Sequence, residues 1–194
     1  YSITRERVRQ VQNRSLQAMR DDDEIKKVDP YIKKLEQLMK EHGKIMAEKH
    51  IMPVARQNLH IDKDKKYDGA EIRLLLNLGD QFKESKKTQE FNNFWYLEKE
   101  DDKKAKDVVK KFVNRIMEKK EPLERPDLYK MLSQLVEEEL GLQLSQNELK
   151  AILNLSRELK RNCLDLWGHY TWPEITPRNS GDYAYLAMMA ENKP

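Results

Sequence analysis

Apolar residues recur at intervals of three and four along most of this chain, the spacing of one buried helix face. Ile32, Leu35, Leu38, Met39, Ile45 and Met46 form one such stripe, and Ala105, Val108, Val109, Phe112, Val113, Ile116 and Met117 another. Leu128, Met131, Leu132, Leu135, Val136 and Leu140 form a third. Between them, Ile72, Leu74, Leu75, Leu76, Leu78 and Phe82 cover more than one stripe, which predicts a central helix.

Punctuation residues set the expected boundaries. Asp29-Pro30 opens a helix, since Asp caps free N–H groups and Pro at the first helical position loses nothing; Pro53 should end or kink it. Asp68, with Glu71 three residues on, has capping-box spacing, and Thr88 opens a short aromatic helix holding Phe91, Phe94, Trp95 and Leu97. Asp101 or Asp102 caps the next helix, and Pro122 and Pro126 mark its exit. Gly141 suits a left-handed C-cap. Ser145 and Glu148 form a capping box, and Leu144 staples onto Leu149. The helix behind them runs through Ile152, Leu153, Leu159, Cys163 and Leu166 to Trp167, and Gly168 stops it. Residues 127–140 and 146–167 therefore read as an αα-hairpin.

The two ends differ from the middle. Residues 3–20 carry Ile3, Val8, Val11, Leu16 and Met19 among five arginines, a stripe too thin for a helix to stand alone. That helix must pack on the rest of the chain or on a partner. After Gly168, Pro173 and Pro177 forbid a regular helix, and Ser180-Gly181-Asp182 caps a last short one from Tyr183 to Glu191.

The expected fold class is all-α, an irregular multi-helix bundle with a C-terminal αα-hairpin and an extended aromatic-rich tail. The expected organisation is a basic helical arm over 1–22, a helical bundle over 23–120, the hairpin packed on it over 121–167, and the tail with its terminal helix over 168–194.

Composition supports the helical reading. Only 6 Gly and 7 Pro stand among 194 residues, and 37% are charged. The net charge of +3 hides an asymmetry: residues 1–120 hold 29 Lys+Arg and 22 Asp+Glu, a net of +7, whereas 121–194 hold 8 and 12, a net of −4. Such asymmetry marks an anionic partner for the first part, or basic and acidic faces that meet within one fold.

The familiar enzymatic signatures are missing. There is no Gly-rich phosphate loop and no nucleophile elbow around a serine. His42, His50, His60 and His169 lack the i, i+3 or i+4 pairing of helical zinc sites; His42 and His50 would sit about 80° apart on one helix. Residues 62–69 mimic a calcium loop, but Lys66 and Arg73 occupy ligand positions, so a solvated loop is expected. Cys163, on a stripe with Leu159 and Leu166, reads as buried and structural. The expectation is a non-enzymatic protein without cofactor or metal. A single cysteine excludes an internal disulfide framework and fits an intracellular, reducing setting, the compartment left open. The sequence starts at Tyr1, so a targeting peptide would lie outside it. No run approaches the ~18 apolar residues of a membrane span.

Two functional readings follow. The first is a helical interaction protein, an adaptor or structural subunit of a larger protein assembly. Trp167, Tyr170, Trp172, Ile175, Tyr183, Tyr185, Leu186 and Met189 concentrate large anchoring groups in the tail. The bland version is that this tail folds back over its own bundle. The alternative is a helical RNA- or DNA-binding component of a ribonucleoprotein or chromatin complex. Its contacts would come from Arg5, Arg7, Arg9 and Arg14 and from Lys103, Lys104, Lys110 and Lys111.

Overall fold

The computed structural model describes residues 3–60 and 69–191. Eight helices dominate it, but the expected all-α class needs correcting, because two small antiparallel sheets are built in. The expected Asp68 cap and the 62–69 loop lie largely outside the described residues; at Gly69 (φ 78) the chain enters the helix with no side-chain cap.

The helices are α1 (Arg5–Asp21), α2 (Asp29–Glu41), α3 (Glu48–Asn58), α4 (Ala70–Leu78), α5 (Lys99–Lys119), α6 (Arg125–Leu140), α7 (Gln146–Leu155) and α8 (Ser180–Glu191). A 3-10 turn, Asp23–Lys27, joins the first two. The strands are β1 (Ile45–Ala47), β2 (Lys83–Ser85), β3 (Phe94–Tyr96), β4 (Leu159–Arg161) and β5 (Trp167–His169).

Three helix expectations fail at identifiable places. The stripe from Ile32 to Met46 is not one helix. Gly43 (φ 80) and Lys44 (φ 65) both turn left-handed, so α2 ends at Glu41 and the chain enters β1. The break precedes Pro53, which sits inside α3 without ending it. The aromatic run after Thr88 is strand β3, paired antiparallel with β1 on one side and β2 on the other. Finally, α7 stops at Leu155 instead of reaching Trp167, so the αα-hairpin is shorter than expected.

A distant segment causes that last stop. Asn92 donates its side-chain amide to the carbonyls of Asn154 (2.8 Å) and Ser156 (3.0 Å), and its backbone N–H to that of Leu155 (2.8 Å). These are the carbonyls a helix end leaves without partners. The Ser156 hydroxyl then accepts from the N–H groups of Glu158 and Leu159, which turns the chain into β4. Buried Asn162 closes the β4–β5 hairpin: its Oδ1 accepts from Leu164 and Leu166, and its Nδ2 donates to the Glu174 carbonyl. Cys163 therefore lies exposed in a hairpin turn, not buried on a helix stripe.

β3 divides the interior. Its side chains alternate between faces, as in any strand. Phe94 joins a core of Phe112, Ile116, Leu128, Leu132, Leu135 and Leu149 from α5, α6 and α7, and Tyr96 packs at its edge. Trp95 joins a second core of Leu35, Met39, Ile51, Ile72 and Leu76 from α2, α3 and α4. β1 follows the same rule: Ile45 and Ala47 face the first core and Met46 the second.

Candidate nucleic-acid interface

Helix α1 buries none of its 17 residues. Local interactions hold it in shape. Thr4 caps the N-terminus by accepting from the Arg7 N–H at 3.2 Å. Glu6, near the positive helix end, bonds Arg9 (2.6 Å) and Gln10 (3.2 Å). These bonds hold the Glu6 carboxyl below its usual pKa and raise that of the Arg9 guanidinium.

Arg20 anchors α1 to the body. Its guanidinium donates to the carbonyls of Asn77 (2.6 Å) and Leu78 (3.0 Å), the otherwise unpaired end of α4, and meets Asp80 at 3.1 Å. Leu16 beside it packs on the second core. At about 100° per residue, Leu16 and Arg20 define the inner face, and Arg7, Val11, Arg14 and Ala18 lie opposite. The outer side also exposes Val8 and Val11. Arg5, Arg7 and Arg14 have no carboxylate partner among the described residues.

The lysine cluster on α5 has a different setting. Lys110 pairs with Glu90 at 3.0 Å and Lys111 with Glu139, while Arg115 on the same helix meets Glu138. Lys106, which lies over the Phe94 ring, pairs with Asp102 at 2.8 Å. Lys103 and Lys104 are exposed and unpaired among the described residues, but Glu98, Asp101 and Asp102 stand beside them. Of the eight basic residues offered by the sequence, Arg5, Arg7 and Arg14 on α1 stand clear of carboxylates, Arg9 is held by Glu6, and on α5 Lys110 and Lys111 are paired while Lys103 and Lys104 sit among acids.

The tail also divides. Residues 167–175 fold back on the protein. Gly168 permits this, because a Cβ there would lie 2.6 Å from the Trp172 ring and 2.9 Å from Ile175. Ile175 is buried, Trp167 and Trp172 pack against the first core, and the Tyr170 N–H donates to Glu158 at 2.7 Å while its ring faces outward. α8 follows, capped by Asn179, whose Oδ1 accepts from the Asp182 N–H at 3.0 Å, rather than by the expected Ser180-Gly181-Asp182. Leu186 is its one buried side chain, Met189 is half-buried, and Tyr183, Tyr185 and Met188 are exposed.

One pairing was invisible along the chain. Because α2 breaks at Gly43, His42 and His50 meet edge to face with ring centroids 5.8 Å apart. Asn154 donates to His50 Nδ1 at 2.9 Å, and burial, then Lys150, His42 and Lys49, hold its pKa at about 4. The pair has no carboxylate or thiolate companions that would make a metal site, and no such cluster occurs among the described residues. Among those residues, no helix is long and apolar enough to cross a membrane. Comparison with protein-family models, with curated proteins and with solved structures finds no match to this chain.

Proposed function

We propose that the protein binds duplex DNA and that α1 is the element it presents. The observation that carries this reading is the outer face of α1, where unpaired arginines stand on a helix that gives only the half-buried Leu16 to its own core. A single α-helix fits the major groove of B-form DNA, whereas the deep, narrow groove of A-form RNA does not admit it. Arg7 and Arg14 supply phosphate or guanine contacts from that face, Arg5 adds a cation at the helix start, and Gln10 beside them supplies an amide that reads base edges. Arg5, Arg7 and Arg14 have no carboxylate partner among the described residues, so phosphates there would displace counterions and not internal ion pairs.

The test is titration of a labelled duplex at several salt concentrations. Affinity should fall steeply with salt, and Arg7→Ala with Arg14→Ala should weaken binding and flatten that dependence. Duplex binding absent near physiological salt, or untouched by the double variant, would sink the proposal.

A second reading, protein docking through the C-terminus, is favoured by α8. From Tyr183 to Ala190 the helix is apolar all round, a pattern normally found inside a protein, yet Leu186 alone is buried. An adaptor role predicts a protein partner that is retained after nuclease treatment and lost with Tyr183→Ser and Tyr185→Ser. A partner released by nuclease, or kept by that variant, would count against it.

A further inference from the structure

A cleft of about 750 Å3 opens between the starts of α6 and α7 and the β4–β5 hairpin. Three cations from three elements line it, Arg125, Lys150 and Arg161, with Tyr129 and Trp167 as aromatic walls. Side-chain amides, Pro126 and Leu153 complete the lining, and no carboxylate belongs to it. α6 begins at Arg125 and α7 at Gln146, so the cleft lies at the start of both helices, that of α7 already closed by its capping box.

Two of the cations share one acid. Asp165, at the hairpin turn, takes Arg125 at 3.2 Å and Arg161 at 3.0 Å. One carboxylate fixes both guanidiniums and cancels the charge of one. Lys150 has no carboxylate partner among the described residues. Trp167 Nε1 is buried and makes no hydrogen bond, where buried donors are normally satisfied.

We propose that this cleft holds a nucleotide unit, its phosphate among Arg125, Lys150 and Arg161 and its base stacked on Tyr129 and Trp167. A small anion alone would leave the aromatic walls unused. An uncharged apolar ligand would strip water from three cations without replacing it. A nucleotide uses both halves, and joined aromatic and cationic surfaces are how single strands are held with little sequence preference. The volume lies within the range of small-ligand sites. The unit comes either from a single strand or from a free nucleotide. This site does not depend on α1, and its residues are different.

The experiment uses the full chain, a labelled twelve-residue oligothymidylate, and dTMP and inorganic phosphate as competitors. The variants are Lys150→Gln and Tyr129→Leu, with Lys33→Ala, exposed on α2, as a control outside the cleft. Circular dichroism melts confirm that each variant folds. The expected result is oligonucleotide binding weakened about 5-fold or more by each cleft variant and unchanged by Lys33→Ala, with the salt slope reduced by about 0.7 in Lys150→Gln for one lost single-strand phosphate contact. Competition by dTMP at concentrations near the oligonucleotide's own Kd supports the free nucleotide as source. Weak competition by dTMP supports the strand. Inorganic phosphate competing as well as dTMP, with Tyr129→Leu silent, would overturn the proposal, and so would binding indifferent to Lys150→Gln or absent altogether. Duplex binding lost through Arg7 and Arg14 speaks only to α1, so the two readings fail separately.

Discussion

α1 and α5 resemble each other by composition: both are long, rich in basic residues and striped with apolar ones. The structure uses them in opposite ways. α5 buries Ala105, Val108, Val109, Phe112, Val113 and Ile116, and Lys110, Lys111 and Arg115 on its outer side meet carboxylates from α6 or from the segment before β3. α1 buries nothing and is tied to the body chiefly by Arg20 and Leu16. Counting positive charge therefore does not locate an interface. What locates one is whether the charge already has a partner and whether the helix carrying it has a second task in the core.

The largest expected effect lies on the α5 side. Phe112→Ala should destabilise the whole fold by about 3–5 kcal/mol, read from denaturant unfolding, because it empties a fully enclosed site between α5 and α6. No substitution on the outer face of α1 should approach this; one that did would show that α1 is core and break the contrast. Arg20→Ala comes next, at about 1–3 kcal/mol. Its signature should be local, with faster amide exchange across α1 and little change in the cores. Uniform loss of protection would mean the two regions are not separable.

Binding discriminates more finely. Arg7→Ala with Arg14→Ala should lower the salt slope of duplex binding by about 2, one phosphate contact each, and leave the melting temperature within a degree or two. Lys110→Ala and Lys111→Ala should do neither, since exposed ion pairs contribute about 0–1 kcal/mol. A salt slope as sensitive to the α5 lysines as to the α1 arginines would erase the distinction.

pH provides a last check. Burial, followed by Lys150, His42 and Lys49, keeps His50 neutral down to about pH 4. An unfolded His takes up its proton near 6.5, so between those values the unfolded chain binds more protons. The stability that neutral His50 allows is complete above pH 6.5 and declines as pH falls toward 4. His50→Gln should flatten that decline, and the imidazole shifts of His50 should move near pH 4. Titration near 6.5 would mean that neither burial nor the surrounding lysines act on it.

How legible the fold was depended on element length. α5 and α6 span enough turns for a 3.6-residue period to be plain, and the α7 capping box is entirely local: Ser145 Oγ and the Glu148 N–H are 3.4 Å apart, and the reciprocal bond is 2.8 Å. Three-residue strands give no such signal. A reading of Phe94-Trp95-Tyr96 as strand was available from its aromatic run behind Asn92-Asn93, and Gly43 after Lys40-Glu41-His42 was available as a helix stop. The end of α7 was not available, because the group that satisfies its carbonyls is Asn92, 62 residues from Asn154. The free arginines of α1 could be named from sequence, but their freedom could not. The cleft was hidden for a related reason. Arg125, Lys150 and Arg161 belong to three elements and share no motif, and Trp167 was expected on a helix end rather than in β5.

Strand β3 has one more consequence. It is only three residues long, yet neither core is complete without it, since Phe94 is fully enclosed on one side and Trp95 nearly so on the other. A register slip of one residue would exchange the two rings between cavities shaped for different volumes. Pairing with β1 and β2 therefore fixes both halves at once. The two cores should melt together in a single cooperative transition, despite occupying opposite faces of the sheet.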